Sequence, residues 1–228
     1  MVPATLGNSD IRVTIPPGLA DVVRGIQVFI VEDLRSARRY LKLLDRKIDI
    51  DQLTFFELNE HTPAGEIPSF LVPAENGRDT AMISEAGMPG VADPGAQVVK
   101  IAQEKGIRVI PLTGPSSILL SLMASGMNGQ QFTFHGYLPI QQNERVRKIR
   151  ELEQAVHQTG ATQIFIEAPY RNDRLLDDLL KNCHPSTQLC IAADITLDTE
   201  MIRTRSIDRW KKEKPSLHKR PAIFLLGS

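Results

Sequence analysis

Two cysteines in 228 residues, Cys183 and Cys190, are too few for a disulfide framework and too far apart for a CxxC pair, and they point to a reducing compartment. No two His or Cys residues stand at a metal-ligand spacing, so no metal is expected. An apolar run of about 18 residues, enough to span a bilayer, is missing. So is a basic N-terminal stretch followed by an apolar core, and no signal peptide is expected. Together these absences predict no membrane partner and a cytoplasmic location. Net charge is also missing, because 27 Lys and Arg balance 27 Asp and Glu. Dedicated nucleic-acid binders are usually basic, so the balance weighs against a tight, sequence-independent grip on RNA and leaves only local patches. Neither a Walker sequence nor a GxGxxG fingerprint occurs, which leaves a phosphate cradle or dinucleotide site unsupported. What remains is an ordinary globular composition, 42% apolar. The chain is long enough for two domains of about 110 residues or one larger α/β domain.

Glycine and proline are concentrated in one stretch. Residues 82–122 read as a Gly/Pro loop, a helix, a strand, a second Gly/Pro loop and another helix. The first loop, residues 84–95, holds Gly87, Gly90 and Gly95 with Pro89 and Pro94. Such a run continues neither helix nor strand, since Pro lacks an N–H and Gly loses the most backbone entropy on ordering. An apolar strand, Thr80–Ile83, runs straight into it. The second loop, residues 113–117, follows a predicted strand over 108–112 and opens a helix with Ser116 and Ser117. Loops that leave the C-terminal ends of strands and enter helices are where α/β proteins bind ligands, although one such loop alone is more often a simple turn. Two in neighbouring βα units are expected to form two sides of one crevice.

Elsewhere the chain alternates strand and helix. Residues 1–4 form a very short first strand, ending in TLGN (residues 5–8); residues 15–19 are extended and 19–25 a short helix. The run IQVFIV (26–31) is a buried strand by its continuous branched-aliphatic character. An amphipathic helix over 36–44 follows, and Arg38, Arg39, Lys42, Arg46 and Lys47 give this region a basic face, either a solvated surface or a nucleic-acid contact. A strand is predicted over 55–58, then a helix over 66–75 with Pro68 in its first turn and Gly77 as its stop. Beyond a small-residue helix over 116–125 and a break at 126–129 come a strand (132–136) and a helix (143–157) with Val146, Ile149, Leu152 and Val156 on one face. The remainder reads as strand 163–167, helix 172–183, strand 188–193, a segment 204–212 and a final strand 222–226. This alternation predicts an α/β fold, with an N-terminal α/β domain over residues 1–114 and a C-terminal one over 115–228.

SEAGMPGVADPG (84–95) followed by PLTGPSSILLSLMASG (111–126) closely resembles the S-D-A-G-T-P-G-x-x-D-P-G and P-G-P-S-A signature of the ribosomal RNA small-subunit methyltransferase I family, within the tetrapyrrole (corrin/porphyrin) methylase superfamily. FHGYLP (134–139) and IFIEAPYR (164–171) are similar to its F-x-G-F-L-P and F-E-S-P-H-R blocks, VEDLRSARRYL (31–41) to its E-D-T-R block, and ELNEH (57–61) to its H-N-E block. The resemblance implies two α/β domains of the tetrapyrrole methylase type with S-adenosylmethionine held in the cleft between them, in a homodimer. It also implies methyl transfer to a ribose 2′-hydroxyl of small-subunit ribosomal RNA. By resemblance the cofactor contacts are Gly7, Ser84, Glu85, Ala86, Gly87, Pro89, Thr113, Ser116 and Ser117 in the first half, and Ile166, Ala193, Pro221 and Ala222 in the second. Asp33, Arg35 and Glu167 are the residues expected to act on the acceptor.

Each of these residues also has a plainer reading. Glu85 stands where the family has Asp, and either accepts hydrogen bonds from the cofactor or caps the next turn. Asp93, before Pro94, reads as a turn and helix-cap residue. Glu32, Asp33 and Arg35 position the acceptor or form a local ion pair. Glu167 and Arg171 are a base with its partner, or a structural pair. His135 reads as a hydrogen-bonded core histidine, His184 and His218 as exposed, and His61 cannot be carried over because the family's order is changed. Three departures bear on the substrate. Ala193-Asp194-Ile195-Thr196-Leu197 replaces R-E-L-T-K, Tyr170 replaces a His, and a small C-terminal extension of longer members is missing. The lost Arg and Lys remove expected phosphate contacts; the basic residues of 211–220 either partly replace them or form a solvated loop. A methyltransferase for a tetrapyrrole or other small molecule, and a non-catalytic protein that binds S-adenosylmethionine, therefore stay open.

Overall fold

The computed structural model describes residues 1–7 and 10–228. Asn8 of the TLGN segment lies outside the described residues. The chain divides into two compact units, Met1–Ser116 and Ser117–Ser228.

The N-terminal unit opens with two short helices, α1 (Ile11–Thr14) and α2 (Leu19–Arg24), of which the sequence reading found only the second. Asp10 starts α1 by accepting from the Arg12 N–H at 2.9 Å. Strand β1 (Val28–Val31) then enters the centre of a three-stranded parallel sheet, with β2 (Thr54–Glu57) on one side and β3 (Thr80–Ile83) on the other. All four β1 residues are buried, as expected for a strand covered on both faces. Successive side chains alternate between those faces. Phe29 and Val31 pack with Ala37, Tyr40 and Leu41 of α3 (Leu34–Leu44). Ile30 joins Met82 against Ile67 and Phe70 of α4 (Ile67–Phe70) and Val98 of α6 (Ala96–Glu104). Two expectations fail here. The helix over 66–75 is two pieces, α4 and α5 (Val72–Glu75), because Pro73 has no N–H to continue the ladder. The strand over 108–112 does not form; among the described residues its backbone pairs with Met1, through Met1 N to Ile110 O (2.9 Å) and Leu112 N to Met1 O (3.0 Å), and Pro111 can donate nothing. The expected first strand is likewise reduced to one parallel bridge, Val2 to Ile83. Tyr40 pins this segment by donating its hydroxyl to Pro3 O at 2.6 Å.

The C-terminal unit contains α7 (Ser117–Ser125), β4 (Phe132–Tyr137), α8 (Gln142–Thr159), β5 (Thr162–Ile166), α9 (Asn172–Asn182), β6 (Gln188–Ala193), β7 (Met201–Ser206), α10 (Ile207–Lys212) and β8 (Ala222–Gly227). Its sheet runs β4-β5-β8-β6-β7; only β4 and β5 are parallel. Ile149, Leu152 and Val156 of α8, Leu175, Leu176 and Leu179 of α9, and Trp210 of α10 close over Phe165, Ile191 and Phe224. The Trp210 indole donates to Leu189 O at 2.8 Å, so its polar edge is satisfied in the core. Cys183 and Cys190 are buried and unpaired.

Beneath α8 and α9 lies a buried ion pair. Arg145 and Asp178 meet at 2.6 Å with side chains 2% and 5% exposed, and Arg145 also donates to Ile140 O at 2.7 Å. Removing one partner strands the other charge in the interior, which costs about 3–5 kcal/mol. Asp178→Ala should lower the unfolding free energy by that amount in urea titrations followed by the fluorescence of Trp210, the single tryptophan. Arg145→Met/Asp178→Leu should be less damaging than either half alone.

Candidate functional site

Parallel pairing places Val31 level with Ile83, so the chain leaves β1 and β3 side by side at their C-terminal ends. The sheet order β2-β1-β3 sends the connections after β1 and after β2 to opposite sides of β1. That divergence opens the crevice in which α/β sheets receive ligands. Four carboxylates gather around it. Glu32 Oε2 accepts from the Glu85 N–H at 3.3 Å, and Glu85 Oε1 lies 3.4 Å from the Ser36 hydroxyl. Asp33 Oδ1 accepts from the Ser36 N–H at 2.6 Å, which makes it the N-cap of α3. Ser84, buried just after β3, donates its hydroxyl to Ala86 O at 3.4 Å and lies close enough to the Asp93 carboxylate to favour its charge.

These acids do not titrate alike. Burial is the main cause that pushes the Asp93 carboxyl up to about 6, with the charges of Glu32 and Glu85 adding to it and Ser84 opposing. Glu32 is raised too, first by burial and then by Glu85 and Asp33. Asp33 is lowered by the hydrogen bonds from Ser36. The helix-cap reading of Asp93 is corrected: Gly95 caps α6, and no side chain bonds to that helix start. Asp93 is instead folded back toward Ser84 by left-handed backbone at Gly90 (φ 81°) and Ala92 (φ 63°). For Ala92 this conformation costs on the order of 1–2 kcal/mol, the kind of strain that collects at ligand sites. The sequence signal for Asp93 was its place in the Gly/Pro loop; its surroundings come from residues 9 and more than 60 positions away.

A cavity of about 580 Å³ is walled by Met88, Pro89 and Val91 of the first Gly/Pro loop, by Pro111 and Leu112 ahead of the second loop, and by Thr113, the second loop's first residue. Within the N-terminal unit the first loop thus faces the segment ahead of the second loop; among the described residues, Pro89 and Thr113 are the expected cofactor contacts that line this cavity. Gly87 has a left-handed φ of 72°, and a Cβ there would come within 3.3 Å of Leu6 and 3.4 Å of Pro115 O. At Gly114 a Cβ would strike Pro3 at 2.1 Å. Of the other expected contacts here, Glu85 and Ala86 are exposed, Pro89 is buried, Gly7 is exposed with its carbonyl held by the Thr5 hydroxyl at 2.7 Å, and Ser117 begins α7. Arg35 is exposed and makes no ion pair among the described residues. The expected local pair with Glu32 or Asp33 is absent.

In the C-terminal unit, antiparallel pairing sets Ala193 opposite Ala222 and Ile166 opposite Ile223. Ile166, Ala193, Pro221 and Ala222 thus share one sheet edge, tied by Asp194 N to Pro221 O at 2.9 Å. Ala193 is fully buried in the core. Glu167 follows β5. Its Oε1 accepts from Ala168 N (2.7 Å) and from Arg171 (2.6 Å to Nη2), while the buried Oε2 has no partner among the described residues. Asn172 Oδ1 and Thr196 Oγ1 are also buried and unpartnered there. Asp194 pairs with Arg220 at 2.7 Å. His135 bonds Gln163 at 2.7 Å, as its core reading requires. Among the described residues, no three His, Cys, Asp or Glu gather as a metal site, and no helix is long and apolar enough to cross a membrane.

The sequence pattern of the family described as Tetrapyrrole (Corrin/Porphyrin) Methylases matches residues 17–209. The chain is 28% identical over 232 residues to the Ribosomal RNA small subunit methyltransferase I of Escherichia coli O157:H7, covering 99% of this chain and 76% of that one. It is 31% identical to the protein of the same name from Pseudomonas aeruginosa, over 90% of this chain and 68% of that one. With the Halalkalibacterium halodurans protein identity rises to 36%, over 65% of this chain and 48% of that one. The chain therefore spans between about half and three quarters of these relatives. Among solved structures, the methyltransferase CobJ superposes with a TM-score of 0.62 at 16% identity, covering 94% of this chain and 88% of that one. A Thermus thermophilus uroporphyrin-III C-methyltransferase, complexed with S-adenosyl homocysteine, gives 0.54 at 16% identity, covering 93% and 90%. At such identities the likeness is one of fold.

The raised carboxyl of Asp93 has a measurable consequence. As pH rises from 3.8 to about 6, an unfolded chain gives up this proton before the folded one, so the fold loses stability across that window. Asp93→Asn removes the loss. Its melting temperature should equal that of the parent near pH 3.5, exceed it progressively from about pH 4 to 6, and level off above about pH 7. A constant difference at all pH values would contradict the assignment.

Proposed function

The chain belongs to the tetrapyrrole (corrin/porphyrin) methylase family, in its ribosomal RNA small-subunit methyltransferase I branch, and from that premise we propose that it is an S-adenosylmethionine-dependent methyltransferase of small-subunit ribosomal RNA, acting on a ribose 2′-hydroxyl. The observation that carries this reading is the gathering of Glu32, Asp33, Glu85 and Asp93 where β1 and β3 end and the first signature loop begins, with a cavity of about 580 Å³ walled by later residues of the same loop. Apolar walls suit the adenosine and the thioether chain, and carboxylates suit an ammonium, a sulfonium and ribose hydroxyls. A cavity of several hundred Å³ matches a ligand of that size. Gly87 fits the same picture, because its left-handed φ of 72° disfavours a side chain, and a Cβ there would press on Leu6 at 3.3 Å.

When bound, S-adenosylmethionine supplies an electrophilic methyl group on a positively charged sulfur. The protein's work is then to orient the acceptor and take up one proton. Ser84, Glu85, Ala86, Gly87 and Pro89, with Gly7, Thr113, Ser116 and Ser117, hold the cofactor from the N-terminal unit; Ile166, Ala193, Pro221 and Ala222 do so from the C-terminal unit. Glu32 and Glu85 balance the cationic charge. Asp33 acts by fixing the start of α3, and Arg35, free of ion pairs, contacts an acceptor phosphate. Glu167 presents Oε2 to a hydrogen-bond donor of the bound ligands. Asp93 receives the hydroxyl proton at its carboxylate, since a group titrating at about 6 is a competent base near neutral pH. The two units are the two functional domains, and the protein works as a cytoplasmic homodimer.

Calorimetric titration with S-adenosylmethionine and S-adenosylhomocysteine tests the cofactor directly. Saturable binding of both, abolished in Gly87→Leu, is expected; no binding by a folded protein would sink the reading. Labelled methyl transfer to 30S subunits but not to porphyrinoids should follow. Asp93→Asn should cut kcat about 10²- to 10⁴-fold, the range of a positioned acid–base group, with cofactor affinity little changed.

A further inference from the structure

Helix α3 leaves the crevice at Glu32 and Asp33 and carries an unusual arrangement of charge. Arg35, Arg38, Arg39, Lys42, Arg46 and Lys47 are all exposed. None of them makes an ion pair among the described residues, in a chain whose net charge is zero. Spacing makes the arrangement costly. Residues 35 and 39 and 38 and 42 stand at i,i+4, and residues 35 and 38 and 39 and 42 at i,i+3, where like charges repel and destabilise a helix; Arg46 and Lys47 follow in the turn just beyond its end. Other helices of the molecule use these positions for opposite charges: Lys100–Glu104 on α6, Arg147–Glu151 on α8 and Lys212–Asp208 on α10.

The nearest acids are already engaged. Asp33, whose charge reaches Arg35 and Arg39, caps the helix through Ser36. Asp45, at the other end, is bound by Arg24 at 2.6 Å and by the Lys47 N–H. Arg38 lies over the Phe55 ring, 5.5 Å from its centroid, a cation–π contact that leaves its charge without a carboxylate partner among the described residues. A solvated helix surface gains nothing from such crowding. A polyanion relieves it.

We propose that the outer face of α3 is an RNA-docking surface, which grips the phosphate backbone through Arg38, Arg39, Lys42 and Arg46 and leads the strand toward the crevice at the N-terminal end of the same helix. Phosphate contacts of this kind position a nucleic acid without reading its sequence. The inference rests on the ribosomal RNA reading above and specifies where that substrate is held. It also supplies cationic charge that the Ala193–Leu197 segment lacks.

The test compares the parent protein with Arg39→Gln/Lys42→Gln/Arg46→Gln, exposed positions at which glutamine keeps helix propensity. A control of equal charge, Arg147→Gln/Lys148→Gln/Lys212→Gln, removes cations that already have carboxylate partners. Affinity for naked small-subunit ribosomal RNA and for 30S subunits is measured from low to high salt, with calorimetric S-adenosylmethionine binding alongside. The α3 variant should bind both RNA probes roughly tenfold or more weakly at low salt. Its plot of log affinity against log salt should be flatter by about 2, since each lost single-strand phosphate contact removes about 0.7. Cofactor binding should be unchanged, and the control should resemble the parent. Equal RNA affinity and slope in parent and α3 variant would overturn the proposal. So would a loss confined to 30S subunits, which would place the face on a ribosomal protein, or an equal loss in the control, which would mean overall charge alone. Absence of cofactor binding and methyl transfer in the parent itself would overturn the methyltransferase reading, and is seen in a different readout.

Discussion

Strand β1 is hydrogen-bonded on both edges to parallel neighbours, and this pairing sets where chemistry can occur in the N-terminal unit. Because Val31, Glu57 and Ile83 end level, the three chains emerge on one edge, and the residues that follow them meet there. Glu32 and Glu85 are 53 positions apart in sequence, yet one carboxylate accepts the other's backbone N–H. The same pairing buries Val28–Val31 completely, so neither face of the strand can shift register without exposing a row of apolar side chains. Rigid strands below and glycine-rich backbone above make a site whose floor is fixed and whose walls can approach a ligand closely.

The C-terminal unit reaches a comparable edge by other means. Its central strand, β8, runs antiparallel to both neighbours, so its first residues lie against the last residues of β5 and β6. Buried polar atoms collect at that edge: Glu167 Oε2, Asn172 Oδ1 and Thr196 Oγ1. An unsatisfied buried acceptor costs about 1–3 kcal/mol, and left-handed backbone at Asp194 (φ 52°) and Thr196 (φ 72°) adds strain. A purely structural turn has no use for either feature. The Asp194–Arg220 pair also shows how this chain accommodates its departure from the R-E-L-T-K pattern: the acid is kept, its basic partner comes from the segment before β8, and the first position becomes a fully buried alanine.

Charge is organised by helix rather than by totals. Ion pairs along α6, α8 and α10 neutralise those surfaces locally, whereas α3 concentrates cations of one sign. A net charge of zero is thus compatible with a strongly cationic face, because screening limits electrostatic influence to about 10 Å at ordinary salt.

Local chemistry made much of the chain legible. The VFIV run, the TAMI strand before the Gly/Pro loop, the QLCIAA strand and the amphipathic helix around Ile149 and Leu152 follow from periodicity, and their bounds differ from expectation by no more than a few residues. Motif residues likewise identified the family and the Gly/Pro loop that walls the cavity. What periodicity could not reveal depended on partners distant in sequence. Val109, Ile110 and Leu112 suit a strand, but a strand needs a ladder, and among the described residues Met1 is the backbone partner of this segment. Asp93 looked like a helix cap because caps precede helices; its proximity to Ser84, Glu32 and Glu85 exists only once β1 and β3 lie side by side. Asp33 looked free to act and proved committed to the Ser36 N–H. Sequence by itself determined which segments fold and which family chemistry they carry, since both reside in neighbouring residues; only the tertiary structure decided which carboxylates share a crevice, because burial and mutual repulsion arise between residues that the chain holds far apart.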